Sequence, residues 1–222
     1  SFLPFIEKFL AWGTGSSARP DCWSMGGYSS YPYIVNLTTP DSVYRALNMY
    51  TYGANQTYAT LPALDSIQHP INTTQVVITA VSNNYSNYSH ILVVGTSTQP
   101  GNISTFTPVD TIQLSDIVNT YEVAFDSVTS GAKYITLLSC TDNGFNYNYA
   151  YVIDVRVEAI PPCQVPNRIR TSNLTSNSAD IHWNDRSSSS TWQIEYGTRG
   201  FFLGSGTRVT VTANPYSLTG LT

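Results

Sequence analysis

Apolar residues alternate with polar ones along most of this chain, and the 3.6-residue spacing of an amphipathic helix is almost absent. Six runs rich in Val, Ile, Thr and Tyr, each bounded by Asn, Gly, Pro, Ser or Asp, predict strands. They cover Val43–Tyr52, Gln75–Val81, His90–Thr96, Asn119–Asp126, Lys133–Cys140 and Tyr149–Glu158. In the last run Ile153, Val155 and Val157 point to one face and Asp154, Arg156 and Glu158 to the other. That is the pattern of a strand buried on one side of an antiparallel sheet. The single helical candidate, Phe5–Leu10, is short enough to be an edge strand or one turn. Short strands joined by long, polar, Asn- and Gly-rich connections predict an all-β chain built as an antiparallel jelly-roll β-sandwich.

Three prolines between Ile160 and Pro166 cannot continue a strand ladder and predict a stiff linker over 161–166, closing a first domain at 1–160. A second β pattern fills 167–222. Ala179–Trp183 alternates, Ser187–Ser190 makes a turn, and Thr191–Gly197 puts Trp192, Ile194 and Tyr196 on one face. Thr207–Thr212 and Tyr216–Leu221 complete it.

Composition narrows the function classes. Only 11% of the 222 residues are charged, against roughly 25% in an average globular protein. The difference is filled by 26 Ser, 27 Thr and 17 Asn. The net charge is -4 with no Lys/Arg cluster, which excludes nucleic acid as a partner. Ample aromatic and β-branched residues exclude disorder. With no apolar run of about 18 residues, no membrane insertion is expected. Ser1–Leu10 carries Glu7 and Lys8 and lacks a small-residue cleavage site, so it does not read as a signal peptide. The chain is then either intracellular or a mature or excised piece of a longer exported polypeptide, and low charge with only two lysines favours export to an extracellular location. Cys22, Cys140 and Cys163 form no C-x-x-C clip and allow at most one internal disulfide. Cys140 ends an apolar run and is either a buried thiol or the partner of Cys22.

Two resemblances add to this reading. Trp183, Tyr196 in a W-x-x-x-Y run and the Tyr216-x-Leu218-x-x-Leu221 ending resemble a fibronectin type III domain. The family's sixth and seventh strands have no counterpart before Thr222, so the resemblance implies a partial immunoglobulin-like sandwich over 167–222. Leu3–Phe9 with Asp21-Cys22-Trp23 resembles the opening of MAM-like jelly rolls, among them the choice-of-anchor J and cleaved-adhesin families of bacterial surface proteins. Tyr58–Pro62, Leu92–Thr98, Thr105–Val109 and Tyr151–Val157 follow in the family's order. This resemblance implies a surface protein of Gram-negative anaerobes and a structural Ca²⁺ held by carboxylates of the first and last strands, here Glu7 and Asp154. The family often shows two acids where this chain has Ile153-Asp154. The alternative is that Asp154 belongs to a solvated face and Glu7 is an exposed acid.

Catalytic patterns are absent. His69, His90 and His182 fall in unrelated contexts, and neither H-E-x-x-H nor a Gly-x-Ser-x-Gly elbow occurs. Cys22 or Cys140 with His90 is the conceivable nucleophile–base pair, and four scattered Glu residues give no carboxylate pair. Three loops instead offer aromatic faces beside hydrogen-bonding groups. They carry Tyr28, Tyr31 and Tyr33; Tyr85, Asn87 and Tyr88; and Asn146 and Tyr147. The plainer reading is that these tyrosines cap sandwich edges. The sequence therefore predicts a non-catalytic, secreted or cell-surface binding and adhesion module for carbohydrate or a host or matrix protein. An architectural accessory domain of a larger surface hydrolase is the alternative, and a glycosidase or protease has the least support.

Overall fold

The computed structural model describes residues 3–65, 67–82, 90–129, 131–141, 146–162, 164, 166–187, 189–198, 201–202 and 204–221. The strands in chain order are β1 (Phe5–Glu7), β2 (Ser24–Gly27), β3 (Tyr33–Thr38), β4 (Val43–Asn48), β5 (Thr51–Tyr52), β6 (Gln56–Thr60), β7 (Thr74–Val81), β8 (Ile91–Ser97) and β9 (Phe106–Gln113). They continue with β10 (Asn119–Ala124), β11 (Tyr134–Cys140), β12 (Tyr147–Asn148), β13 (Tyr151–Ala159), β14 (Asn167–Ser172), β15 (Ser178–Asn184), β16 (Trp192–Tyr196), β17 (Thr207–Val211) and β18 (Tyr216–Thr219). No helix among the described residues is long and apolar enough to cross a membrane. The chain divides into two compact units, Ser1–Ile160 and Pro161–Thr222.

The first unit is an antiparallel jelly-roll sandwich. One sheet runs β10-β7-β13-β4-β3, with β1 also paired to β13, and the other runs β2-β6-β11-β8-β9. Ile34, Leu47, Ile78 and Val155 from the first sheet and Leu92, Val94, Ile135 and Leu137 from the second meet in one core, closed by Phe9 and Phe125. Each such side chain contributes about 1.5–3 kcal/mol by leaving water. The alternation in β13 holds for Val155 and Val157, which reach this core. It fails at Ile153, because the register shifts between Val152 and Asp154. That bulge turns Ile153 to the other face of the sheet, where it is buried with Ala46 and Val81.

The continuous run predicted over Val43–Tyr52 is interrupted. Its ladder ends at Asn48, and the Met49 N–H donates to the Ala150 carbonyl at 2.8 Å. The chain then enters a separate ribbon in which β5 pairs β12, Thr51 opposite Asn148 and Tyr52 opposite Tyr147. This ribbon lies at the pole where β2, β4, β7 and β11 end and β3, β8 and β13 begin.

No disulfide joins Cys22 to Cys140. Cys22 is an exposed thiol in a turn at φ 65, and Cys140 ends β11 half-buried. Cys163 lies outside the described residues.

In the second unit β14-β15-β18 form one sheet and β16-β17 another. Trp183, 8% exposed, packs edge-on against Trp192 with centroids 5.2 Å apart. Among the described residues, Ala179, Val211 and Leu218 are the unit's other buried apolar ones.

Candidate functional site

Eight tyrosines converge at the ribbon pole. Tyr28, Tyr31 and Tyr33 come from the β2–β3 connection and the start of β3, Tyr50 and Tyr52 from the β4–β5 corner, and Tyr147, Tyr149 and Tyr151 from β12 to β13. Tyr50 is the hub, with ring centroids 4.8 Å from Tyr149, 5.0 Å from Tyr31, 5.8 Å from Tyr28 and 6.1 Å from Tyr147. Tyr31 stacks on Tyr33 at 4.9 Å, and Tyr149 lies 6.4 Å from Tyr151. The directly opposed pair Tyr52 and Tyr147, 5.0 Å apart, is the outermost, at 43% and 45% exposed. The other six rings are half-buried and hold that pair from behind.

Local chemistry places these rings. Gly27 sits at φ +135, and a Cβ there would fall 2.3 Å from the Gln56 carbonyl, so only glycine lets β2 leave β6 into the Tyr28 turn. The buried Thr57 hydroxyl accepts from the Tyr28 N–H at 3.3 Å and donates to the Tyr50 carbonyl at 2.9 Å, tying two tyrosine backbones together. Asn148, 1% exposed, acts as a surrogate strand. Its Oδ1 accepts from the Ile91 N–H (2.9 Å), and its Nδ2 donates to the Ile91 carbonyl (2.7 Å) and Ser139 Oγ (2.7 Å). The Tyr149 N–H donates to Nδ1 of buried His90 at 3.2 Å, which gives that histidine a structural role. Asn48 lies in the same row as Tyr33 and Tyr151 across β3, β4 and β13. It is 7% exposed, and its Oδ1 has no hydrogen-bond partner among the described residues. Thr51 Oγ1, directly opposite Asn148, is in the same condition.

Tyr50 and Tyr31 keep their phenol protons to unusually high pH. Burial, and then the neighbouring Tyr149, push the Tyr50 hydroxyl up to about 12. Burial and a hydrogen bond with Tyr33 raise Tyr31 as well. The cluster thus offers uncharged aromatic surface and hydroxyl donors and acceptors, a combination suited to stacking on C–H faces while hydrogen-bonding their hydroxyl groups.

Of the sequence candidates, Tyr28, Tyr31, Tyr33 and Tyr147 come together here. Asn146 takes part through its carbonyl, which accepts from the Gly53 N–H at 3.0 Å. Tyr85, Asn87 and Tyr88 lie outside the described residues. Sequence reasoning missed Tyr50, Tyr52 and Tyr151 because they sat on predicted strands, and placed Tyr149 only at the end of the third aromatic loop. Their signal was a Tyr-x-Tyr spacing at strand ends, which puts both rings of a pair on one side.

Glu7 and Asp154 do not fit a shared calcium site. Glu7 is directly opposite Val155, so both side chains point into the sandwich, while Asp154, one residue away, points to the other face. Both Glu7 oxygens are already engaged, Oε1 with the N–H of buried Phe9 at 2.6 Å and Oε2 with the Trp12 indole at 3.2 Å. Glu7 is therefore a local cap for a residue held at φ 57. Glu7→Gln should cost about 1–2 kcal/mol, or a fall in Tm of about 2–8 °C. Chelator should leave the wild-type Tm unchanged, and a fall in chelator would restore Glu7 as a ligand. Among the described residues no three His, Cys, Asp or Glu side chains group as a metal site.

Ser172 Oγ lies 2.7 Å from His182 Nε2 on the second unit's surface. The adjacent Asp180 accepts instead from Ser217 and Asn173, both at 2.6 Å, and these bonds hold its carboxyl below the usual range. The imidazole thus lacks the carboxylate partner of a hydrolytic triad.

No protein-family model and no curated protein matches the sequence. Solved structures do share its fold. The K1 cleaved adhesin domain of Lys-gingipain from Porphyromonas gingivalis W83 superposes with a TM-score of 0.51 at 14% identity, over 72% of this chain and 100% of that domain. The K2 cleaved adhesin domain of Lys-gingipain gives 0.50 at 13% identity, over 69% and 98%. The chain is thus all-β, and over the matched part it shares the fold of these two domains.

Proposed function

We propose that the first unit is a non-catalytic, extracellular carbohydrate-binding module of the adhesin type, with the tyrosine pole as its binding surface. The observation that carries this reading is the convergence of eight tyrosines from three distant segments around two neighbouring exposed rings. Large apolar rings facing water are costly unless something covers them, and a pyranose covers them while using the surrounding hydroxyl and amide groups. The fold shared with domains named as adhesins supports a surface role. A protein partner at the same pole is the competing outcome of the test. We read the second unit as the first five strands of a fibronectin type III module acting as a spacer. Its three- and two-stranded sheets and the Trp183–Trp192 contact support that reading.

The test is a glycan microarray with wild-type protein and the Tyr52→Ala/Tyr147→Ala double variant. Losing two stacking rings at about 1 kcal/mol each should weaken binding at least tenfold. Tyr52→Phe/Tyr147→Phe should keep most of it, and unchanged Tm should exclude unfolding. Undiminished binding by the Ala variant would remove the pole from the proposal.

A further inference from the structure

The charge pattern of the pole narrows what it can hold. The segments that build it, residues 28–33, 48–55, 90 and 146–151, contain no Lys, Arg, Asp or Glu, where the chain-wide 11% would place about two. One cation, Arg19, reaches the Tyr28–Tyr31 turn, where one N–H of its guanidinium donates to the Ser30 carbonyl at 3.2 Å.

A carboxylate or sulfate needs an Arg or Lys to replace the water it loses on binding, and the bidentate guanidinium fork is the strongest such partner. The segments that carry the rings supply none of these, and Arg19 beside them has one N–H on the Ser30 carbonyl. The segments supply instead phenol hydroxyls and the exposed rings of Tyr52 and Tyr147. We infer that the ligand is a neutral glycan, held by stacking on Tyr52 and Tyr147 and by uncharged hydrogen bonds, and that anionic glycans are not taken. The inference rests on the carbohydrate reading above. Its expected signature is binding that ignores ionic strength, since no ion pair is available for salt to screen.

The experiment uses the full chain in biolayer interferometry on two immobilised panels. The neutral panel is β-1,4-galactan, xylan and glucomannan. The anionic panel is polygalacturonate, alginate and heparin. Measurements are made at about 50 and about 500 mM NaCl, below and above physiological screening. The expected result is binding on the neutral panel alone, changed less than twofold by salt, weakened at least tenfold by Y52A/Y147A and retained by Y52F/Y147F. Binding confined to the anionic panel and weakened by salt would overturn the neutral assignment and leave the carbohydrate reading standing. No binding on either panel would overturn both.

Discussion

Asn148→Leu is expected to lower the melting temperature by about 6–12 °C. The substitution leaves the Ile91 N–H, the Ile91 carbonyl and the Ser139 hydroxyl without the partner they have in the fold. Ser139 and Asn148 are buried to within 1% of complete exclusion from solvent. Each orphaned buried group costs about 1–3 kcal/mol, so a total of about 3 kcal/mol is a moderate figure. A chain of this size loses about 2–4 °C per kcal/mol. Asn148→Asp should not rescue, because a carboxylate can still accept from the Ile91 N–H but cannot donate to the Ile91 carbonyl. Asn148 also sits between Tyr147 and Tyr149, so its loss should loosen the outer ring pair and weaken glycan binding with the same variant. Differential scanning fluorimetry and amide exchange at Ile91 check the claim. A loss below about 2 °C, with Ile91 still protected, would show that the amide bridge is not what joins β8 to β12.

That bridge shows what was legible in the sequence and what was not. The strands that were read correctly, such as β7, β11 and β13, lie inside the two sheets, where burial enforces runs of Val, Ile and Leu. The edge strand β9 was harder to see, because Pro108 interrupts it. An edge position tolerates a residue without an N–H, and the register indeed shifts there, opposite Val94 and Gly95. β3 was hidden by the aromatic turn before it, and β6 by the Gly and Asn that precede it. The bulge that redirects Ile153 leaves no mark in a period-two pattern. At the site, composition identifies two of the three contributing segments, but not their meeting, since that depends on which strand ends share a pole. Glu7 illustrates the converse. A family resemblance assigned it to a metal, and only the register with Val155 shows that it faces away from Asp154.

Tyr50→Ala should have the second large effect, and it tests whether the eight rings act as one surface. Tyr50 touches two rings from each of the other two segments, where Tyr52 touches one from each. A half-buried aromatic truncated to Ala should cost about 2–3 kcal/mol, below the 3–5 of a fully buried one. Glycan binding should fall at least as far as in the Tyr52/Tyr147 double variant, although Tyr50 itself is less exposed than either. Tyr50→Phe keeps the packing and isolates the hydroxyl. Burial raises that hydroxyl to about 12 in the folded chain, against an ordinary value near 10. The unfolded chain therefore gives up the proton first. The contribution of the neutral phenol is complete below pH 10 and is lost as pH rises towards 12. Urea midpoints of the wild type should fall over that window, and Tyr50→Phe should fall less, with Tyr31 sustaining part of the remaining slope. Wild-type and Phe curves that run parallel from pH 9 to 12 would show that the Tyr50 phenol is solvated. A Tyr50→Ala variant with unaltered binding would show that the outer rings need no common support.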